Sequence, residues 1–385
     1  MELKTTELTK EKEGARYRVV GTMSGTSMDA LDVVEAVFWV EHGHWHSEIL
    51  RLHEVELGED WPERFRNLEK AFARTWIECE RDWSAWCATQ ILEHASLEET
   101  DLVVFSGQTI FHQPEAGYTA QLGSGADLHG ALGAKIPVVS DLRSLDVALG
   151  GQGAPLVPVA DALLFPEYEA CLNLGGFSNI SSDRNGLRTA WDIGPCNLVL
   201  NALAQRRGQA CDFGGELASK GEVQTALLEA WLSLDYHAQT APKSLGTEWL
   251  HTAFWPRLAD FESHQKCAVE DLLATASTYI AASIRKDARG ARTLLTGGGA
   301  FNEELLRLLR QEKPLVQDDR PVDAVVPAPE LIKGKEALAF GFLGLLRWLE
   351  VPNSWPSVTG CRQAHLGGAL WGKNGVSSPP PNAMQ

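Results

Sequence analysis

Hydrophobic and polar positions in the first part of the chain change from a strand-like period to a helix-like period and back. Short apolar runs predict strands near residues 17–21, 31–40, 46–56, 102–105 and 136–140. The segment from about Trp61 to Ala95 repeats its apolar residues at three- and four-residue steps, which predicts a long helix. The aromatic residues at these steps are expected to lie in the core: Phe65, Phe72, Trp76, Trp83 and Trp86.

The second part of the chain repeats this order of strands followed by helices. Strands are predicted at 170–174, 177–181 and 293–295, and a further short strand ends at Asp192. Helices are predicted near 195–205, 222–234, 268–286, 302–312 and 335–349. Two such blocks predict an α/β protein of two lobes with the ligand in the cleft between them. The predicted lobes are residues 17–155 plus 350–372 and residues 156–349, and the terminal segments 1–16 and 374–385 are expected to be frayed.

The first block has a turn of small polar residues directly after its first strand. Its hydroxyls and backbone N–H groups can converge on a phosphate, although an ordinary hairpin turn explains the pattern equally well. The candidate phosphate contacts are Gly21, Ser24, Gly25, Thr26, Ser27 and Asp29. A carboxylate repels a neighbouring phosphate unless a cation lies between them. The position of Asp29 beside this turn therefore predicts a Mg²⁺ ion, which Asp29 would bind directly or through water.

Two further glycine turns follow apolar strands in the second block. Gly175 and Gly176 separate two predicted strands, and Gly297, Gly298 and Gly299 separate a strand from a helix. Glycine lets backbone approach a flat ligand such as adenine or a ribose phosphate, although a tight strand–helix turn needs glycine too. The chain has neither the glycine-lysine loop of P-loop enzymes nor a well-placed dinucleotide fingerprint.

Three charged residues are candidates for contact with the reacting molecule. Asp192, at a strand end before a helix, could accept a proton from a water or hydroxyl, or it could cap the helix. Arg143 could orient a sugar or phosphate oxygen, or pair with Asp141 or Asp146. Glu336 lies near the start of the last predicted helix, where the helix dipole favours an acid in any case.

Composition narrows the classes of partner. The 385 residues carry a formal net charge of −17, which argues against nucleic acid and anionic membranes as main partners. Seven cysteines without a Cys-x-x-Cys pair favour a reducing compartment, and no signal peptide or run of about 18 apolar residues is seen, so the cytoplasm is expected. His42, His44 and His46 alternate, but the stretch is typical of an exposed hairpin tip rather than of a metal site.

Taken together, the motifs resemble those of one family over most of residues 17–370. They are Met23-Ser-Gly-Thr-Ser-Met-Asp29, Gly107-Gln-Thr109, Asp141-Leu-Arg143, Gly150-Gly-Gln-Gly-Ala-Pro-Leu-Val-Pro158, Asn173-Leu-Gly-Gly176, Asp192 with Gly194-Pro195 and Asn197, Pro242-Lys-Ser-x-Gly246, Gly297-Gly-Gly-Ala300 and Glu336-Ala-x-Ala-Phe340. In this order they resemble the anhydro-N-acetylmuramic acid kinases of the sugar kinase, heat-shock protein and actin superfamily.

The resemblance implies a two-lobed kinase with an RNase H-like core in each lobe and, in the family, a homodimer. Such an enzyme uses ATP and Mg²⁺ to open the 1,6-anhydro bridge of anhydro-N-acetylmuramic acid and phosphorylate O6, a step of cell-wall sugar recycling. By the same resemblance Asp192 is the general base, and Arg143 and Glu336 hold the sugar. The Ser24–Asp29 turn binds the nucleotide phosphates, and Gly297–Ala300 contacts the nucleoside. A kinase for another anhydrosugar such as levoglucosan, or a nucleotide-binding module without catalysis, remains an alternative.

The sequence departs from the family pattern at three positions. Cys196 replaces a usual glycine, Ala30 another, and Ser106 a usual histidine. If the backbone at residue 196 requires a positive φ, a cysteine there would be strained by about 1 kcal/mol or more.

Overall fold

The computed structural model describes residues 12–25, 28–184, 186–241 and 243–372. The predictions for Thr26, Ser27, Pro242 and most of the two terminal segments therefore lie outside the described residues. Contacts within the chain define two compact units. One runs to Pro166 and resumes at Gly334, and the other is Glu167–Lys333.

The first unit is built on a six-stranded sheet. Its strands are β1 (Arg16–Ser24), β2 (Ala30–Glu41), β3 (His44–Glu56), β4 (Leu102–Phe105), β7 (Val138–Ser140) and β13 (Ala369–Trp371), and a separate hairpin is formed by β5 (Gln108–Gln113) and β6 (Tyr118–Leu122). The strand order is β3-β2-β1-β4-β7-β13. Strands β1, β2 and β3 are antiparallel neighbours, whereas β4 runs parallel to β1 and β7 parallel to β4.

The second unit repeats this arrangement in a five-stranded sheet. Its strands are β8 (Ala170–Leu174), β9 (Phe177–Arg184), β10 (Leu187–Pro195), β11 (Arg292–Thr296) and β12 (Asp323–Val325), in the order β10-β9-β8-β11-β12. Strands β8, β9 and β10 are antiparallel neighbours, and β11 and β12 run parallel to β8. Counted from its own first strand, the second sheet therefore has the order 3-2-1-4-5, and the first sheet has the same order with β13 added as a sixth strand. The predicted pair of similar α/β blocks is confirmed by this shared order.

Helices cover the sheets of both units. In the first unit they are Asp60–Leu68, Ala73–His94, Gly125–Ala131, Ser144–Ala148, Val157–Leu164 and Pro356–Thr359. In the second they include Asn197–Gln205, Thr225–Leu232, Trp255–His264, Val269–Ala288 and Glu303–Arg310, and the last long helix, Pro329–Trp348, starts in the second unit and continues into the first. Side chains from β8, β10 and Val269–Ala288, among them Leu172, Trp191 and Tyr279, form the core of the second unit.

The predicted helix from Trp61 to Ala95 is two helices separated by a short connection. Phe65 and Trp83 are buried, as expected, but Phe72 is 88% exposed and the prediction for it is wrong. Phe72 is the extended residue just before Ala73–His94, so its side chain does not share the buried face of either helix. The helix predicted from residue 195 begins at Asn197, because β10 continues through Pro195.

The way the last long helix packs on the first sheet explains why the chain returns to the first unit at Gly334. A Cβ on Gly21 of β1 would lie 2.3 Å from the carbonyl oxygen of Ala337, and a Cβ on Gly344 would lie 2.3 Å from the side chain of Val104. Helix and sheet therefore approach each other at positions where only glycine fits. This packing places residues from Gly334 onward in the first unit, so the unit boundaries fall at 166 and 334 rather than at the predicted 155 and 349.

None of the helices in the described ranges combines the length and the apolar character needed to cross a bilayer.

Candidate active site

Asp192 lies within β10 at an irregularity of the strand. It pairs with Asn179 of β9, whereas Gly194 pairs with Ser178, so Ile193 is an extra residue on the β10 side. A bulge of this kind re-aims the side chains around it and is common beside active sites. Cys196, not Asp192, is the residue that precedes the helix, and it makes no side-chain capping bond. The alternative role of Asp192 as a helix cap is therefore wrong.

A segment that follows much later in the chain holds Asp192 from three directions. The backbone N–H of Leu245 donates to Oδ2 of Asp192 at 2.8 Å, and the N–H of Asp192 donates to the carbonyl of Lys243 at 3.0 Å. The hydroxyl of Tyr236 donates to the carbonyl oxygen of Asp192 at 2.6 Å. Among the described residues no donor reaches Oδ1 of Asp192, so this oxygen is available to a water or hydroxyl.

Burial raises the pKa of Asp192 above its ordinary value, and the hydrogen bond from Leu245 offsets part of that rise. The same surroundings act on two neighbours. The pKa of Tyr236 is raised, first by burial and then by the charges of Asp192 and Asp287, so its hydroxyl keeps its proton. Burial also lowers the pKa of Lys243, whose ammonium group lies 4.4 Å from the ring centre of Tyr236.

Cys196 fits its position without the strain considered from the sequence. Its φ is −135°, outside the left-handed region, so the backbone does not require glycine. The side chain is fully buried in the core of the second unit, and burial raises the pKa of its thiol to about 12. The thiol therefore stays protonated and acts as a small apolar side chain.

The second and third glycine turns lie together, because β8 and β11 are parallel neighbours that end at the same edge of their sheet. A Cβ on Gly297, whose φ is +80°, would lie 2.3 Å from Oδ1 of Asn173. The side-chain amide of Asn197 donates to the carbonyl of Leu174 at 2.8 Å. The same amide nitrogen would lie 3.6 Å from a Cβ built on Gly298. The structure thus joins the two turns through Asn173 and Asn197.

Each of the two turns has an exposed glycine. The carbonyls of Gly175 and Gly176 accept the N–H groups of Asn197 and Leu198, so the first N–H groups of that helix are already bonded. Gly298 is exposed, and no hydrogen bond from its N–H is found among the described residues. Gly176 is also exposed, and no hydrogen bond from its N–H is found among the described residues, so each turn has an exposed glycine with an available backbone donor.

The turn after β1 is braced by a side chain from the hairpin β5–β6. Ser24 is buried, and its hydroxyl donates to Oε1 of Gln108 at 2.6 Å, while Nε2 of Gln108 donates to the carbonyl of Gly25 at 3.3 Å. Asp29 is exposed, and its Oδ1 accepts the N–H of Ala30 at 3.0 Å. Gly21 is buried in β1 beneath the last long helix, and that packing accounts for the glycine without a nucleotide contact.

Arg143 and Glu336 act on each other within the first unit. Nη1 of Arg143 donates to the carbonyl of Gly153 at 2.9 Å, and the guanidinium lies 5.2 Å from the ring centre of Phe340. Burial lowers the pKa of Arg143 and raises the pKa of Glu336, and the opposite charge of each residue counteracts the shift of the other. In the described structure Arg143 forms no close ion pair with Asp141 or Asp146, although the charge of Asp146 acts on its pKa in the same direction as that of Glu336.

Glu336 is not a first-turn acid of its helix. The helix begins at Pro329, and its first-turn acid is Glu330. The helix dipole acts mainly within the first turn and so does not explain an acid seven residues further on.

Several residues around the site were not identified as site residues from the sequence. Gln108, Asn197, Lys243 and Leu245 each belong to a recognised motif, but the motif alone does not show which partner each one holds. Their contacts join segments that lie far apart in sequence, and no local pattern reports such a pair. The only signal was the polar character of Ser106-Gly-Gln-Thr109 and of Pro242-Lys-Ser at chain positions that follow strands or helices.

The histidine-rich stretch is the exposed hairpin tip that the sequence predicted. His42 and Gly43 form the turn between β2 and β3, both with positive φ, and their N–H groups donate to the carboxylate of Glu13. His44 and His46 lie in β3, so the three histidines do not share one strand face. Glu13 lies in the segment predicted to be frayed, and these two bonds tie it to the hairpin tip.

Two α/β units with one strand order, each with a glycine-containing turn after its first strand, define a protein of the actin-like sugar-kinase class. The sequence matches the family model described as anhydro-N-acetylmuramic acid kinase over residues 17–373. The chain therefore belongs to the anhydro-N-acetylmuramic acid kinase family, a family of phosphotransferases.

Individual relatives match along nearly their whole length. The anhydro-N-acetylmuramic acid kinase of Streptomyces coelicolor is 34% identical over 390 residues, which cover 94% of this chain and 96% of the relative. The kinases of the same name from Methylorubrum extorquens and Cupriavidus pinatubonensis are also 34% identical. These matches cover 92% and 93% of this chain and 99% of each relative.

Proposed function

We propose that this chain is an ATP-dependent kinase that opens the 1,6-anhydro bridge of anhydro-N-acetylmuramic acid and phosphorylates O6. The product is N-acetylmuramic acid 6-phosphate. The relatives that match it over more than nine-tenths of its length are named for this substrate. Within the chain, the observation that carries the proposal is the carboxylate of Asp192, fixed through Oδ2 by Leu245 and open at Oδ1.

Asp192 serves as the general base for the hydrolytic step. Its Oδ1 takes a proton from a water molecule, whose oxygen bonds to the anomeric carbon as the bond between that carbon and O6 breaks. O6 leaves as the group that then accepts the γ-phosphoryl group of ATP. A raised pKa suits this role, because a base is most effective when its pKa approaches the working pH.

Arg143 and Glu336 hold the sugar. The guanidinium has N–H groups beyond the one that it gives to Gly153, and these can donate to ring or carboxylate oxygens of the sugar. Glu336 offers carboxyl oxygens to sugar hydroxyls. The carbonyl of Gly153 and the ring of Phe340 restrict the guanidinium to one orientation, which favours a substrate of matching shape.

The glycine turns suit the nucleotide. Gly298 combines an exposed backbone, an N–H without a partner among the described residues, and no atom nearer than 3.6 Å to a Cβ built on it. In the first unit, Gln108 fixes Ser24 and Gly25 at the start of the predicted phosphate turn. Glycine backbone of this kind can approach phosphate or ribose oxygens closely.

Asp29 is the candidate ligand for Mg²⁺. Its carboxylate is exposed, its Oδ1 accepts the N–H of Ala30, and a carboxylate is a ligand type that Mg²⁺ prefers, directly or through one of its waters. Bound Mg²⁺ would neutralise charge on the phosphates. We place the reaction in the cytoplasm, where ATP is available and where the free thiols of this chain stay reduced. A homodimer, which the family resemblance implies, stays a prediction.

The proposal is tested by supplying ATP with anhydro-N-acetylmuramic acid and, in parallel, with levoglucosan. We expect the first sugar to be consumed with one ADP per sugar. In ¹⁸O-labelled water, the product is expected to carry one labelled oxygen at the anomeric carbon. Turnover of levoglucosan alone would assign the chain to another anhydrosugar. ATP binding without turnover of either sugar would identify a non-catalytic module.

A further inference from the structure

We infer that Asp146, Cys361 and His365 form a buried binding site for a divalent metal ion of the zinc type, separate from the predicted magnesium site. The carboxylate, thiol and imidazole belong to the first unit, and their ligand atoms all lie within 4.8 Å of one another. All three residues are buried, with 0%, 3% and 7% of their surface exposed. This mixture of oxygen, sulfur and nitrogen ligands is one that zinc accepts.

The imidazole of His365 is oriented as a metal ligand. Its Nδ1 lies 3.2 Å from the carbonyl oxygen of Gln363, which only a protonated Nδ1 can satisfy. In the neutral ring the other nitrogen, Nε2, carries the lone pair, and it has no hydrogen-bond partner among the described residues although it is buried. A backbone carbonyl that holds one ring nitrogen while the other faces the metal is the usual outer arrangement around zinc-bound histidine.

The distance between Nε2 of His365 and Oδ1 of Asp146 is suitable for two ligands of the same cation. Nε2 of His365 lies 3.6 Å from Oδ1 of Asp146, too far for a hydrogen bond. Two ligands of one tetrahedral zinc ion are roughly 3.3–3.8 Å apart, as follows from bond lengths of about 2.0–2.3 Å. A zinc ion with one carboxylate, one thiolate and one neutral imidazole has no net charge, which suits a buried position. The thiol proton of Cys361 passes to solvent when the ion binds.

The surrounding chain holds the three residues in place. The hydroxyls of Ser354 and Thr359 donate to Oδ1 of Asp146 at 2.6 and 2.7 Å, and His365 pairs with Ser354 through the backbone. A Cβ on Gly151 would lie 2.2 Å from Oδ2 of Asp146 and 2.9 Å from the Cβ of Cys361, so only glycine lets the backbone pass this close to both side chains.

The site connects to the candidate sugar site through one residue, Gly153. The N–H of Gly153 donates to Oδ2 of Asp146 at 2.7 Å, and the carbonyl of the same residue accepts from Arg143. A metal ion on Asp146 would therefore fasten the last part of the first unit to the loop that orients Arg143. Its role is structural, since none of its three ligands is among the residues assigned to the reaction.

The test uses the untagged full-length protein, stripped with a chelator, reloaded with stoichiometric Zn²⁺ and desalted. We expect about one zinc per chain by elemental analysis and a higher melting temperature with zinc than without it. Cys361→Ser and His365→Gln are each expected to weaken zinc binding at least about tenfold and to remove the thermal shift. Zinc retained equally by both variants, or no zinc on the original chain, would overturn the site.

Two controls exclude other ligands on the same chain. Cys211→Ser removes an exposed thiol. A second variant replaces the three histidines of the hairpin tip by alanine: His42→Ala, His44→Ala and His46→Ala. Both variants should bind zinc as the original chain does. Loading the original chain with Co²⁺ tests the thiolate ligand without any substitution. A sulfur-to-cobalt charge-transfer band is expected, and a cobalt spectrum without that band would rule out Cys361 as a ligand.

Discussion

The backbone N–H of Leu245 donates to Oδ2 of Asp192 at 2.8 Å, although the two residues are 53 positions apart in the sequence. This bond fixes one oxygen of the carboxylate and leaves the other for chemistry. It also favours the ionised form of a group that burial disfavours, so it adjusts how strong a base Asp192 is.

Replacing Asp192 by asparagine should abolish phosphorylation while nucleotide binding is kept. Asparagine preserves the acceptor for Leu245 but cannot take a proton, so turnover should fall by about 10²–10⁴. The measurement is ADP release with anhydro-N-acetylmuramic acid, together with ATP affinity by calorimetry. Asp183→Asn, an exposed change on the neighbouring strand β9, is the matched control and should leave turnover unchanged. Near-normal turnover of Asp192→Asn would show that another group is the base.

The Leu245 bond can be removed without touching the carboxylate. Leu245→Pro deletes the donor, whereas Leu245→Ala keeps it. Loss of the bond should raise the pKa of Asp192 further, so the acidic limb of the kcat/KM profile should move to higher pH in the proline variant only. Equal profiles for the two variants would mean that this N–H does not adjust the base. The KM for ATP serves as the check that the site is otherwise intact.

The raised pKa of Asp192 also has a consequence for stability. Because the folded state binds this proton more tightly than the unfolded state, the stabilisation is fully present below the unfolded pKa, near 4. It is lost as the pH rises through the folded pKa. At neutral pH the ionised carboxylate is therefore a cost to stability. Asp192→Asn should melt at the same or a slightly higher temperature at pH 7.5, by ~3 °C at most. The difference should shrink or reverse towards pH 4. A markedly lower melting temperature for the variant at pH 7.5 would contradict this sign.

Arg143→Lys should weaken sugar binding more than nucleotide binding. Lysine keeps the charge but cannot both donate to Gly153 and present a planar pair of N–H groups. We expect the KM for the anhydrosugar to rise by about tenfold or more, consistent with the loss of one or two hydrogen bonds to a charged group. The KM for ATP should change little. A rise confined to the KM for ATP would place Arg143 at the nucleotide instead.

Gly21→Ala tests whether this glycine serves packing. The added Cβ would lie 2.3 Å from the carbonyl of Ala337, so helix and sheet must separate, at a cost of about 1–3 kcal/mol or more. The control is Gly130→Ala, where nothing lies within 4 Å of the new atom and alanine favours the helix. Denaturant unfolding compares the two variants. If Gly21→Ala is as stable as the original chain but binds ATP poorly, the glycine acts on the nucleotide.

The sequence predicted the features that depend on local periodicity. The strands of both units are apolar runs with small-residue turns after them, and this pattern recurs in both halves of the chain, so the repeated sheet could be anticipated. The position of Asp192 followed from its place late in a strand. Its exact setting did not, because the bulge at Ile193 is a matter of register with β9.

What the sequence could not show depends on partners far away in the chain. Gln108 was part of a motif, but nothing local indicated that it braces Ser24, 84 positions earlier. Gly21 resembled a phosphate-loop glycine because its neighbours are small and polar, whereas the helix that covers it begins more than 300 residues later. The hairpin tip at His42 was predicted correctly because a turn between two alternating strands is a local feature.

The first unit consists of two stretches of the chain with the second unit between them, and this affects the order in which the units can fold. Strand β1 is synthesised early, but the helix that packs against Gly21 and the strand β13 that joins the edge of its sheet belong to the last part of the chain. Until Pro329–Trp348 has left the ribosome, the first sheet lacks the helix that packs against Gly21 and Val104. A nascent chain that stops after the second unit would lack this packing and be prone to aggregation. This protein therefore completes its first folding unit only after the second unit has been translated.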